Sequence, residues 1–176
     1  MASWPKYTIL QELIVTQQKF LCSNHLAFLK QSPYKALAVY KRTLSDGQAY
    51  FQEGAVERSR DCFGAALDSA EIILEAGILD PISAVNYLIT STILLSTSLS
   101  RLGDYELSQL YLVLARHRLD AINQTFHPTT QLRHHLNECI KALDVTYKAL
   151  FKGWVHEEQF EPVDVSHQGL PVSGYN

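Results

Sequence analysis

A chain of 176 residues is long enough to bury a core without disulfides or metals. Its composition, with 47% hydrophobic and 19% charged residues, is typical of one folded domain. The net charge of -3 offers no positive field for a phosphate backbone, which argues against nucleic acid as a partner. Its three cysteines, Cys22, Cys62 and Cys139, are odd in number and far apart in sequence. They predict free thiols and a reducing, cytoplasmic setting.

The first predicted element is an amphipathic helix from Lys6 to Lys30. Its beginning, Tyr7 to Leu13, includes Gln11 and Glu12 and therefore lacks the apolar core of a secretion signal, so we expect no export. Three-and-four spacing of apolar residues predicts the helix itself. These apolar residues are Ile9, Leu10, Leu13, Ile14, Phe20, Leu21, Phe28 and Leu29.

Three prolines mark the starts of further helices at almost constant intervals. Pro33, Pro81 and Pro128 are 48 and 47 residues apart, and each stands where a first helical position is expected, because a missing N–H costs nothing there. Gly54 and Gly103 interrupt the apolar pattern inside the first two segments and divide each into two helices. A period of this length is expected of stacked helical hairpins.

The run from Pro81 to Ser100 carries no charged residue and is long enough to span a bilayer. Nine of its twenty residues are Ser, Thr or Asn, which are costly to desolvate in lipid, so a buried helix of a soluble protein is the favoured interpretation. The next run, Glu106 to Ile122, is charged on one side only. We therefore predict a helical hairpin around the turn Arg101 to Tyr105, with no contact to a membrane.

The predicted organisation is one domain of residues 1–155 followed by a flexible C-terminal tail at residues 156–176. Two hairpin units cover residues 33–80 and 81–127, and a capping helix covers residues 128–154. The tail is expected to be flexible because it contains proline and glycine with little apolar periodicity.

When Gly54 and Gly103 are superposed, the small and the bulky positions of the two hairpins coincide. This arrangement resembles the tetratricopeptide repeat, and the turn Leu102 to Tyr105 is similar to the turn of that family. The resemblance covers residues 43–66 and 92–115. The equivalent pairs are Gly47 and Ser96, Tyr50 and Leu99, Ser59 and Ser108, Phe63 and Leu112, and Ala66 and Ala115.

Two features depart from the family pattern. Thr43 and Thr92 replace an early aromatic residue, and each unit is longer than the usual repeat of about 34 residues. Elongated helices, as in the longer variants of this repeat, would accommodate the surplus. The resemblance implies an all-α fold: a short right-handed superhelix of about six helices.

The resemblance also implies that the first helix of each hairpin lines a concave groove in which exposed side chains contact a ligand. We therefore predict a non-enzymatic protein–protein interaction adaptor that binds a peptide or a partner helix, with a merely solvated helix face as the alternative for each residue. Chaperone-binding members of this family hold the terminal carboxylate of a peptide with basic side chains. Only Lys41 and Arg101 stand at comparable places in this chain, so we do not transfer that specificity. The predicted partner-binding residues are Lys41, Ser45, Gln48, Gln52, Thr90, Leu94, Thr97 and Arg101.

A self-associating structural subunit is the alternative function. In that case Trp154, Phe160 and the C-terminal tail would pack into the groove of a second copy, giving a homo-oligomer.

Candidate chemistry is sparse. His135 and Cys139 lie four apart, and Cys22 and His25 lie three apart, which are spacings that suit metal ligands, but no third ligand is near either pair. We therefore favour structural roles and expect no metal and no cofactor. The cations from Arg116 to Arg118 are interpreted as a solvated helix end rather than an anion site. No catalytic triad, phosphate-binding loop or carboxylate pair is recognisable, so we do not expect an enzyme.

Overall fold

The computed structural model of the chain describes residues 19–125 and 128–152, and within these residues it is all-helical, with no strand. The predicted all-α class is therefore confirmed. The helices are α1 (Ser23–Gln31), α2 (Pro33–Gln52), α3 (Val56–Ala76), α4 (Pro81–Arg101), α5 (Tyr105–Thr125) and α6 (Thr130–Phe151).

The first residue of α2 is Pro33 and the first residue of α4 is Pro81, as predicted. Asp80 caps α4, because its carboxylate accepts a hydrogen bond from the backbone N–H of Ser83 at 2.9 Å. At the start of α2, the side chain of Ser32, the residue before Pro33, makes no capping hydrogen bond. Proline thus marks both helix starts, whereas a capping side chain supports only one of them.

The last helix begins later than its proline suggested. Pro128 lies outside α6, which starts at Thr130 after Thr129 has capped it. The Thr129 hydroxyl accepts from the backbone N–H of Leu132 at 3.3 Å, and this bond fixes the start of the helix. The predicted capping helix therefore exists with a shorter span, and residues 153–154 lie outside the described part.

The continuous first helix predicted from residue 6 to residue 30 is wrong over Lys19–Cys22, which are not helical. The cause is a carboxylate far along the chain. Asp68 of α3 accepts the backbone N–H groups of Phe20 and Leu21 at 2.7 and 2.9 Å, so these groups are not available for a helix. Helix α1 begins only at Ser23, and residues 6–18 lie outside the described residues.

The two corners at Gly54 and Gly103 have the same backbone geometry. Their φ angles are 79° and 83°, in the left-handed region that favours glycine. At each corner the residue after the glycine donates its N–H, at 2.9 Å, to the carbonyl five positions earlier. These donor–acceptor pairs are Ala55 with Tyr50, and Asp104 with Leu99. The left-handed glycine and this hydrogen bond are therefore common to the turn from α2 to α3 and the turn from α4 to α5.

Small residues let the helices of each hairpin approach closely. A Cβ atom added at Gly47 of α2 would lie 2.7 Å from the ring of Phe63 on α3, so only glycine fits there. In the second hairpin, the buried hydroxyl of Ser108 on α5 donates to the carbonyl of Ser96 on α4 at 2.8 Å. Both contacts involve positions that coincide when Gly54 and Gly103 are superposed: Gly47 corresponds to Ser96, and Ser108 corresponds to Ser59.

Helix α4 lies at the centre of the fold and packs against α3, α5 and α6. By length and composition it is the one helix in the described part that could cross a membrane, and 56% of its most apolar window is buried inside the protein. Most of its buried hydroxyls are satisfied locally, but that of Ser96 has no hydrogen-bond partner among the described residues. The hydroxyls of Ser91 and Thr92 donate to the carbonyls of Tyr87 and Leu88, each at 2.8 Å, so their burial leaves no unpaired group.

Candidate functional site

The predicted partner-binding residues of α2 form one exposed row. Lys41, Ser45, Gln48 and Gln52 follow spacings of four, three and four, which place them on one face of the helix, and all four are exposed. The row presents one cation, one hydroxyl and two amides to solvent. It can both donate and accept hydrogen bonds.

The corresponding residues of α4 are more unequal. Thr90 and Arg101 are exposed, whereas Leu94 and Thr97 are half-buried. The Thr97 hydroxyl donates to the carbonyl of Ile93 at 2.7 Å, so its proton is already used within the helix. Leu94 packs against a core cluster and contributes to the fold. Arg101 is therefore the strongest polar contact that the α4 row offers to a ligand.

Two aromatic side-chain contacts join α2 and α4. Near their beginnings the rings of Tyr40 and Tyr87 are stacked, with centroids 4.2 Å apart, and the Tyr40 hydroxyl donates to the Tyr87 carbonyl at 3.3 Å. Burial raises the pKa of Tyr40 well above its ordinary value. Near their ends the guanidinium of Arg101 lies 4.0 Å from the centre of the Phe51 ring. The two predicted rows thus belong to neighbouring helices.

A second surface, which the sequence reasoning missed, lies between α3 and α5 with α4 beneath it. We call it the α3/α5 groove; its cavity is about 330 Å³. Among the described residues, none of the eight predicted contacts lines it. Its walls include Leu67, Glu71 and Glu75 from α3 and Tyr111, Leu114 and Ala121 from α5.

A further cavity of about 690 Å³ adjoins this groove where α3 and α5 end. The two cavities share Glu75, Arg118 and Ala121, and the first two form an ion pair at 3.3 Å. Neighbouring Arg116 pairs instead with Asp144 of α6 and is half-buried. Arg118 is exposed, as a solvated face requires, but each arginine joins α5 to another helix: Arg118 to α3 and Arg116 to α6.

The two cysteine–histidine pairs form local contacts. The Cys22 sulfur lies 3.2 Å from Nδ1 of His25, and the Cys139 sulfur lies 3.5 Å from Nε2 of His135. Burial raises the pKa of the Cys139 thiol, which keeps it protonated. Residues 19–125 and 128–152 contain no group of three or more histidine, cysteine or acidic side chains that could hold a metal ion.

The chain matches no protein-family model, no curated protein and no solved structure. The function is therefore inferred from the geometry of the described residues. Two surfaces are available for it: the exposed rows on α2 and α4, and the α3/α5 groove.

Proposed function

We propose that this chain is a cytoplasmic, non-enzymatic adaptor that binds a peptide or a partner helix across the exposed rows of α2 and α4. In this proposal the two hairpins stack as in a tetratricopeptide-like right-handed superhelix, and the rows line its concave side. The observation that carries the proposal is the repeated corner at Gly54 and Gly103, since equal corners give the two hairpins the same internal turn, as repeated units require.

The positions of the two cations define the size of the ligand. Lys41 lies towards the beginning of α2, whereas Arg101 is the last residue of α4 and corresponds to Gln52 of α2. The eleven-residue step from Lys41 to Gln52 corresponds to about 16 Å along a helix. A ligand that contacts both cations therefore needs roughly five extended residues or three helical turns, with acceptor groups near both ends.

The proposal is tested by first capturing partners from the source cell and identifying them by mass spectrometry. The affinity of each purified partner is then measured for Lys41→Glu, for Arg101→Glu and for the control Lys30→Glu, which reverses an exposed cation on α1. We expect each row variant to weaken binding by about tenfold and the control to bind as the native chain does. Equal affinities for all four proteins would reject the row as the binding surface.

Self-association, with the C-terminal tail packed into the groove of a second copy, is the second candidate. The segment that the sequence assigned to this contact, including Trp154 and Phe160, lies outside the described residues. Sedimentation velocity of the full chain and of a variant ending at residue 156 decides the matter: monomers in both samples exclude this candidate.

A further inference from the structure

A short segment before α1 is fixed to α3 by a buried carboxylate. Asp68 is only 2% exposed and accepts the backbone N–H groups of Phe20 and Leu21 at 2.7 and 2.9 Å. The ammonium of Lys19 lies 3.5 Å from Asp68 and 2.7 Å from Glu71. Hydrogen bonds to a buried charged group are strong, so the position of the chain is well determined at this point.

The ring of Phe20 lies between α3 and α5, next to the α3/α5 groove. It lies against Gly64 of α3, where an added Cβ would come within 2.3 Å of three ring atoms, so the missing side chain makes room for it. On the other wall its centroid is 6.1 Å from that of Tyr111 of α5. The segment thus already contacts both helices that form the groove.

The described part of the chain begins beside the groove. The ammonium of Lys19 pairs with Glu71, which lines the groove. The groove extends for about 12 Å, since Leu67 and Glu75 are eight helical residues apart. The residues that precede Lys19 are therefore attached to the chain next to this groove.

We propose that residues 6–18 of the same chain occupy the α3/α5 groove. Their sequence predicts a helical stripe of Ile9, Leu10, Leu13 and Ile14, which would face the apolar walls. The segment is tethered directly at the groove, so its effective concentration there is of the order of millimolar and exceeds that of a separate protein. This surface is distinct from the α2 and α4 rows, and the proposal stands or falls independently of the adaptor function.

Hydrogen–deuterium exchange of the full-length chain tests the proposal. The variant Ala121→Arg places a long charged side chain in the groove at an exposed position, and Gln124→Arg makes the same charge change on the same helix outside it. We expect peptides from residues 7–18 to exchange about tenfold faster in Ala121→Arg and at the native rate in Gln124→Arg. Exchange in α3 reports whether each variant is folded.

A second pair of variants perturbs the segment instead of the groove. Leu13→Asp should release residues 7–18, whereas Gln11→Asp should leave their exchange unchanged. Native peptides that exchange as fast as an unfolded chain would overturn the proposal, as would full protection in both Ala121→Arg and Leu13→Asp. Protection that disappears on dilution of the protein would also overturn it, because the groove would then be filled by a second copy.

Discussion

Copying one pair of residues from the second hairpin into the first tests whether the two units are equivalent. Gly47 and Phe63 correspond to Ser96 and Leu112. Gly47→Ser alone should destabilise the fold by about 1–2 kcal/mol, because its Cβ would lie 2.7 Å from the fully buried Phe63 ring. This value is a net loss, since removing a glycine from the interior of a helix is itself stabilising. Phe63→Leu alone should cost about 1 kcal/mol through lost packing.

Together the two substitutions should cost about 1 kcal/mol less than the sum of the single losses, since the smaller side chain leaves space for the serine. The measurement is a double-mutant cycle from urea unfolding followed by circular dichroism, with the free energy of unfolding compared among native, single and double variants. Additive losses would show that Gly47 and Phe63 do not constrain each other, and the close approach of α2 and α3 would then lose its explanation.

Two further predictions concern single side chains. Burial raises the pKa of Asp68 despite its hydrogen bonds, so the folded chain binds this proton more tightly than the unfolded chain does. The free energy of unfolding is measured for the native protein and for Asp68→Asn at a series of pH values. The native value minus the variant value should fall as pH rises from the ordinary aspartate range through the raised pKa of Asp68. A difference that grows with pH would contradict this. Thr129→Ala should destabilise the protein by about 1 kcal/mol through loss of the α6 cap, whereas the neighbouring Thr130→Ala should be nearly neutral in thermal unfolding.

Local rules account for what the sequence predicted well. Pro33 and Pro81 begin helices because proline lacks the N–H that a first turn does not use. Gly54 and Gly103 end the first helix of each hairpin because a left-handed residue is needed there. These effects involve only a few neighbouring residues, so they can be recognised in a sequence without knowledge of the fold.

The errors have non-local causes. Helical periodicity extends through Lys19–Cys22, but Asp68, far along the chain, binds the backbone N–H groups of that segment. One signal could have suggested this role: Asp68 is the only charged residue between Phe63 and Ala70, a stretch of mostly small and apolar residues. The α3/α5 groove was missed for the same reason, because its walls come from helices of different hairpins.

The central place of α4 limits how this protein can be divided. Linear repeat proteins are modular, because each unit contacts only its neighbours and terminal units can be added or deleted. In this chain α4 contacts α5 of its own hairpin, α3 of the first hairpin and α6 of the last unit. Excising the second hairpin would therefore leave bare apolar faces on both α3 and α6.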